Sequence, residues 1–407
     1  MRVAGMNINL PSNWEWAKCS EVIDVRDGTH DTPKYVTSGF PLVTSKNLKS
    51  GNIDFSEVSY ISEKDHQEIS KRSKVDNGDI LLAMIGTIGN PVVVNTDREF
   101  SIKNVALFKF TESHIDKDYF KHLLNSPLVI RQLDFETRGG TQKFVSLKVL
   151  RNLAIPFPPL EGQKRIAAIL DKADAIRRKR KEAIALTEEL LRSTFLDMFG
   201  DPVTNPKGWE VVPMKDVISQ IEAGWSAKGE ERHRDDDEWG VLKISAVTSG
   251  VFKPKEHKAV SSPTFKKDPV IPQKGDLLFS RANTRELVAA TCLVEKDCEK
   301  VFLPDKLWRI KTNPNVANVE YLRFLLADPR YRSLLARKAT GTSGSMLNVS
   351  QAKLLDMDAP VPDINTQTKF ADVLWRIYKL KERNENSLES LNMNFNSLLQ
   401  KAFRGEL

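Results

Sequence analysis

The sequence reads as a mixed α/β protein: two repeated, loop-rich α/β domains joined by two long helices that pack as a coiled-coil-like spacer. Three observations point there. An apolar seam of helical period runs through the middle of the chain, a second seam of the same spacing closes it, and the globular sequence before each seam is duplicated.

The seams come first. Within residues 161–200, steps of three and four from Ile166 pick out Leu170, Ala173, Arg177, Arg180, Ile184, Thr187, Leu191, Thr194 and Met198. The same steps from Phe370 give Leu374, Ile377, Lys381, Asn384, Leu388, Leu391, Phe395, Leu398 and Ala402, again apolar at both ends and polar in the middle. Helices this long have no core of their own to cover an apolar stripe, so each is expected to cover the other. Arg177 and Arg180 fall on the seam, where bare buried charge is costly, so a wet or DNA-facing waist is expected at that level and at Lys381 and Asn384.

The duplication follows from direct alignment. PSNWEWAKCSEV from Pro11 matches PKGWEVVPMKDV from Pro206, an offset of 195 (209 minus 14 for the tryptophans). GDILLAM from Gly78 matches GDLLFSR from Gly275, and VSLKVLRNLAIPFPPLEGQ from Val145 matches VSQAKLLDMDAPVPDINTQ from Val349. The offset drifts to 197 and then 204 (275 minus 78, 349 minus 145), as loop insertions require. Each unit is thus a globular domain, a short proline-rich joint and a long helix.

Inside the first unit, residues 40–44, 51–60, 78–85, 91–95 and 104–110 are short runs of Val, Ile and Phe between turn residues and read as strands. Residues 118–133 read as a helix. In the second unit the strands are expected at 241–245, 276–280, 288–294 and 306–311, and the helix at 319–337.

With 407 residues the chain is too long for one ordinary core. Its net charge of +7 leans weakly towards a polyanionic partner. Cys19, Cys292 and Cys298 are odd in number and unclustered, which argues for a reducing compartment and against both a disulfide framework and a zinc site. Neither a leader-like start nor a long apolar window is present, so a cytoplasmic protein is expected.

No phosphate-binding GxxxxGK[ST] loop, GxGxxG turn, HExxH or CxxC occurs, and there is no Asn-Pro-Pro-aromatic tetrapeptide. The six histidines lack ligand spacing, and Asp235, Asp236, Asp237 and Glu238 read as a solvated loop. What the loops carry instead is small, polar and basic. Thr44-Ser45-Lys46-Asn47 follows a strand, and Arg138-Gly139-Gly140-Thr141-Gln142-Lys143 precedes the joint. In the second unit Ser280-Arg281-Ala282-Asn283-Thr284-Arg285 ends a strand, and Thr340-Gly341-Thr342-Ser343-Gly344-Ser345 stands where the earlier glycine-rich loop stood. Amides suit adenine, guanidinium suits guanine, and glycines let backbone amides approach phosphate. The competing reading is of ordinary surface turns; their recurrence at matching places in both units weighs against it.

Trp-Glu at the start of each unit, Gly-Asp-Ile/Leu-Leu strands, glycine-rich loops and proline joints before a Gln-led helix, all twice in tandem, resemble the specificity subunit of type I restriction-modification systems. Asp27-Gly28-Thr29-His30-Asp31-Thr32-Pro33 also resembles a segment common in the first half of such proteins; the second unit carries no clear copy of it. The resemblance implies target-recognition domains at 1–155 and 201–358, helical spacers at 156–200 and 359–407, and a bipartite, gapped DNA site read one half per domain. It implies no catalytic role and no cofactor in this chain. S-adenosylmethionine is expected in two methyltransferase subunits, and ATP and Mg in two restriction subunits, with the exposed helix faces and residues 403–407 as docking surfaces.

By loop position and chemistry, the candidate DNA contacts are Lys46, Asn47, Thr141, Gln142 and Lys143 in the first domain. In the second they are Lys243, Arg281, Asn283, Arg285, Ser343 and Ser345. The alternative from another class is a duplicated protein-binding scaffold, an adaptor whose DNA binding is weak and indifferent to sequence.

Overall fold

The computed structural model describes residues 2–3, 5–49, 51–86, 88–111, 113–136, 144–261, 268–341 and 346–407. It divides into two compact units, one of residues 1–181 with 386–407 and the other of residues 182–385. Each unit is a globular α/β body together with half of each long helix.

At the heart of the first unit is a four-stranded antiparallel sheet in the order Gly89–Val93, Ile80–Ala83, Val105–Lys109, Asp24–Asp27. Ile80, Leu82, Ala106 and Phe108 face one core, while Leu81, Ala83, Val105 and Leu107 face another. A sheet covered on both faces needs apolar residues at every position, which is why these strands are continuous apolar runs without alternation. The second unit repeats the arrangement with Ile218–Ala223, Leu307–Thr312, Leu277–Ser280 and Thr291–Leu293. There Leu277, Phe279, Trp308 and Ile310 face one core, and Leu278, Cys292 and Leu307 the other. Burial pushes the Cys19 and Cys292 thiols up to about 12, so both are inert packing groups.

The Gly-Asp dipeptides open the central strand of each sheet. Gly78 and Gly275 have φ of +93° and +91°, a backbone shape that a Cβ disfavours. Their amides donate to Val94 and Val294 at 2.8 and 2.9 Å, and the following aspartates fold back on the turn, Asp79 accepting from Asp76 N and Asp276 from Gln273 N, both at 2.8 Å.

Two expected helices are each broken in two by a proline. Residues 118–133 form Lys117–Leu124 and Pro127–Glu136, and residues 319–337 form Val319–Ala327 and Pro329–Lys338. Proline has no N–H to continue a helix but suits a first turn, and Asp328 caps the new start by accepting from Arg330 and Tyr331. Residues 51–60 are likewise not one strand but two, Asn52–Ile53 and Ser59–Ile61. Residues 244 and 245 leave the strand Trp239–Leu242 for a helical turn, Ser245–Thr248.

The proline joints are strands. Ala154–Phe157 pairs with Glu15–Lys18, and Asp358–Val361 pairs with Glu210–Pro213, so a strand near the start of each domain closes on its last. A buried glutamine then fastens each joint to the long helix. Gln163 accepts from Asp116 N at 2.7 Å and donates to Pro158 O at 2.9 Å; Gln367 accepts from Asn318 N at 3.0 Å and donates to Pro362 O at 2.8 Å.

The long helices run Leu160–Phe199 and Ile364–Ala402. In the first unit Ile166, Ala167 and Leu170 share a core with Phe395, Leu399 and Ala402. In the second unit Leu191, Phe195 and Phe199 share one with Phe370, Leu374 and Ile377. Phe199 meets Phe370 at 5.4 Å between ring centres, and Glu188 meets Lys381 at 3.7 Å, so these halves pack antiparallel.

The expected wet waist is corrected at Lys381 and Asn384, which are buried. Lys381 Nζ lies 3.7 Å from both Glu188 and Glu295 and over the Tyr378 ring, so carboxylates inside the packing offset its desolvation. Burial in turn pushes the Glu295 carboxyl above the usual range, with Lys381 opposing. Arg177 stacks its guanidinium 4.2 Å over the Phe395 ring in the first unit. Among the described residues no helix is long and apolar enough to cross a membrane.

Candidate nucleic-acid interface

In the first unit a cleft of about 840 Å³ is lined by Tyr35, Thr44, Ser45, Lys46, Lys103 and Asn104, among others. One wall is the turn after the strand Phe40–Val43. Asn47 organises that turn: its Oδ1 accepts from Thr44 N and Oγ at 2.9 Å, and its Nδ2 donates to Asp54 O and Glu57 O at 3.1 and 3.2 Å. The side chain is spent on these four bonds and only 5% of the residue is exposed. The expectation that Asn47 meets a base therefore gives way to a scaffolding role, with Lys46 exposed beside it.

The other wall is Lys103 and Asn104, backed by the polar segment 27–33, which is zipped against residues 102–105. Gly28 N donates to Val105 O and Thr29 N to Ile102 O, both at 3.0 Å. Only glycine fits, because a Cβ on Gly28 would lie 2.2 Å from Ile102 O. Asn104 sits at φ +53°, a conformation its short amide tolerates, and His30 bridges it to Asp27. Lys103 bonds Thr32. Lys103, Asn104 and Asn90, all lining the cleft, are missing from the sequence-based contacts; an asparagine at a strand break was their only signal.

The second unit carries a backbone copy of this wall that sequence alignment misses. Gly224 N donates to Leu307 O at 3.3 Å and Trp225 N to Leu303 O at 2.8 Å, and a Cβ on Gly224 would lie 2.0 Å from Leu303 O. Ser226 stands where His30 does and hydrogen-bonds Asp305. Arg281, half-buried, donates from Nε to Asp305 O at 2.9 Å, so it is anchored to the same wall. Asn283 lies in the short strand Ala282–Asn283, which pairs with Leu347–Asn348, and its Oδ1 accepts from Thr284 N. Arg285 is exposed in the turn beyond. Lys243 is instead engaged at the surface: Glu231 meets it at 2.8 Å, and Lys243 and Lys258 together hold the Glu231 carboxyl down at about 2.

Thr141, Gln142, Lys143, Ser343 and Ser345 lie outside the described residues. Their flanks occupy matching places: Phe144 pairs with Ile85 at the end of one central strand, and Asn348 with Ala282 at the end of the other. Each unit thus brings the residues just after its central strand beside a residue that follows its glycine-rich segment in sequence.

The remaining polar clusters are structural. His66 stacks on Phe40 at 4.0 Å between ring centres and bonds Ser101 Oγ, and His122 bonds Asp171 at 2.8 Å. In the acidic run, Asp235, Asp236 and Asp237 are exposed, but Glu238 is buried in a two-toothed ion pair with Arg232. Among the described residues no group of three or more His, Cys, Asp or Glu could hold a metal ion.

The family model for the type I restriction modification DNA specificity domain matches residues 11–186 and again 206–392, one match per unit. The EcoKI specificity subunit of Escherichia coli K12 is 22% identical over 98% of this chain and 90% of its own length. The EcoEI specificity subunit of E. coli is 28% identical over 46% of this chain, a match spanning 32% of the relative's length. A chain from a structure on complex assembly and conformational transition of the type I R-M system shares the fold at a TM-score of 0.56 and 20% identity, covering 98% of this chain and all of the other. The type I S subunit from M. genitalium shares it at 0.54 and 14% identity, with 99% of each chain covered. With the family model matched twice over most of its length, the chain belongs to the type I restriction-modification DNA specificity family, whose part is DNA recognition and not catalysis.

Proposed function

We propose that each unit reads one half of a bipartite, gapped DNA site, and that the paired long helices set the gap between the halves. In this reading the chain carries two methyltransferase subunits, which supply S-adenosylmethionine chemistry to an adenine, and two ATP- and Mg-dependent restriction subunits. The observation that carries it is the twofold use of one hydrogen-bonded frame, Gly28 against Ile102 and Val105 and Gly224 against Leu303 and Leu307, behind loops whose exposed residues differ. A constant frame with variable polar loops suits two readers of unlike sequences. Lys46, Lys103 and Asn104 are the proposed contacts of the first unit; Arg281, Asn283 and Arg285 are those of the second, with Lys243 towards phosphate. Thr141, Gln142, Lys143, Ser343 and Ser345 remain candidates in the glycine-rich loops.

The test is co-expression with the methyltransferase partner, followed by single-molecule mapping of adenine methylation across the host genome. A two-part gapped motif that disappears without this chain is the expected result. A stable complex that leaves no such motif would instead favour a scaffold without sequence recognition.

A further inference from the structure

Among the described residues that line the cleft of the first unit, Glu57 alone is acidic. It is exposed, and among the described residues no hydrogen bond or ion pair engages its carboxylate. Lys49, whose charge it feels, is bonded to Asp54 at 2.8 Å. The backbone of Glu57, by contrast, is fixed. Its carbonyl accepts from the buried Asn47 side chain at 3.2 Å, and Ser59, two residues on, lies opposite Leu42 where Ser59–Ile61 pairs with Phe40–Val43. Leu42 and Ser59 also line the cleft, so Glu57 continues the face that they share.

The strand register finds the counterpart in the second unit. Ile102 and Leu303 hold matching places, accepting from Thr29 N and Trp225 N. One residue back, Ser101 pairs with Leu42 and Phe302 with Val241; Leu42 lies opposite Ser59 and Val241 opposite Lys258. Two residues before these stand Glu57 and Glu256. The Glu256 carbonyl is likewise held, by Lys243 N at 2.9 Å, but its carboxylate accepts from Ser245 Oγ at 2.8 Å. One frame thus presents an engaged acid in the second unit and an unengaged one in the first.

We propose that Glu57 is a specificity-determining residue of the first unit, accepting a hydrogen bond from cytosine N4 in its half-site. This rests on the reading of the cleft as a DNA site. Docking on DNA takes the carboxylate out of water and brings it near phosphates, and both cost free energy unless a donor meets it. A carboxylate accepts and does not donate. In the major groove guanine offers N7 and O6 and thymine offers O4, all acceptors, so both are repelled; cytosine N4 and adenine N6 donate. Adenine carries the acceptor N7 beside N6, facing the second carboxylate oxygen, whereas cytosine has no acceptor beside N4 on that edge. The choice therefore falls on cytosine. Lys46 and Lys103 supply attraction to any sequence, and Glu57 subtracts it from sites that lack a C·G pair in front of it.

The experiment uses the full chain in complex with its methyltransferase partner and selects bound duplexes from DNA randomised in both half-sites. The expected result is a C·G pair preferred by about tenfold at one position of the first half-site. Glu57→Gln, whose amide suits adenine N6 and N7, should admit A·T there. Glu57→Ala should accept all four pairs at that position within about twofold, with the second half-site unchanged. Because Asn47 holds the main chain of residue 57 and not its side chain, both variants keep the turn. The same motif in all three complexes overturns the proposal while leaving the DNA reading intact, and so does a first half-site without a C·G pair, or a loss spread evenly over its positions. Absence of any selected sequence in the wild-type complex removes the DNA reading itself, and the proposal with it.

Discussion

Lys109 Nζ lies 2.6 Å from the Asp79 carboxylate inside the first unit, and both side chains are buried. Asp276 and Arg309 repeat the pair at 3.2 Å in the second unit. Each ties the turn that opens a central strand to the neighbouring strand. Removing one member of such a pair strands the other without its counter-charge. Lys109→Met should therefore cost about 3 kcal/mol of stability, and Asp79→Asn combined with Lys109→Met should recover part of that loss. Urea unfolding midpoints of the three proteins check it; a double variant no more stable than Lys109→Met would mean the turn, and not the charge pair, is what fails.

His66 gives a pH dependence with a definite sign. Burial against Phe40 holds its imidazole below the usual histidine value, with Glu99 and Glu63 opposing weakly. The folded state therefore resists the proton more than the unfolded chain does. The stability from this group is complete above the unfolded value near 6.5 and is lost as pH falls through the lower folded value. His66→Gln should flatten the fall in urea midpoint between about pH 7.5 and pH 5.5 relative to wild type. An equally steep fall in the variant would assign the effect elsewhere, with His122, also held low by burial, the next group to test.

Gln367 is fully buried and serves three backbone groups: it accepts from Asn318 N and donates to Val316 O and Pro362 O. Gln367→Ala leaves those groups without partners and opens a cavity, for a loss of about 2 to 4 kcal/mol. Gln367→Glu keeps the acceptor and loses the donor, so it should fall between the two in a thermal melt. Gln163→Ala should behave alike in the first unit, where the same side chain joins Asp116 N to Pro158 O.

These glutamines mark what could be read in advance. The duplication, the long helices and the doubly covered strands announce themselves through spacing, because the physics behind them is periodic: Leu170 and Leu374 sit where a seam of 3.6 residues per turn requires, and both are fully buried. The helix Glu63–Ser73 escapes such reading because it is almost entirely polar. The site was half legible. A turn asparagine looks the same in sequence whether it reads a base or closes its own loop, and only the four bonds of Asn47 decide. The Gly224 wall was invisible because its likeness to Gly28 lies in backbone bonds, with a single residue type in common. Lys103 falls outside the expected strands and Asn104 reads as the first residue of the strand 104–110, until folding sets them beside Ser45, whose hydroxyl bonds Asn104 O at 3.3 Å.

Arg281 separates the two kinds of DNA contact. Its Nε is anchored to Asp305 O, while one terminal nitrogen lies 3.6 Å from the Asp305 carboxylate, too far for a hydrogen bond. A guanidinium fixed at one edge and held half-open at the other is suited to a guanine O6/N7 pair or to a phosphate. If it reads guanine, Arg281→Ala should weaken binding of the cognate site by about 1 to 3 kcal/mol and relax one position of the second half-site only. If it meets phosphate, all sequences weaken alike, and the slope of log affinity against log salt falls by about one. Selection from randomised duplexes, with binding measured at two salt concentrations, distinguishes these outcomes. An unchanged affinity and motif would exclude Arg281 from the interface and leave Asn283 and Arg285 as the readers on that strand end.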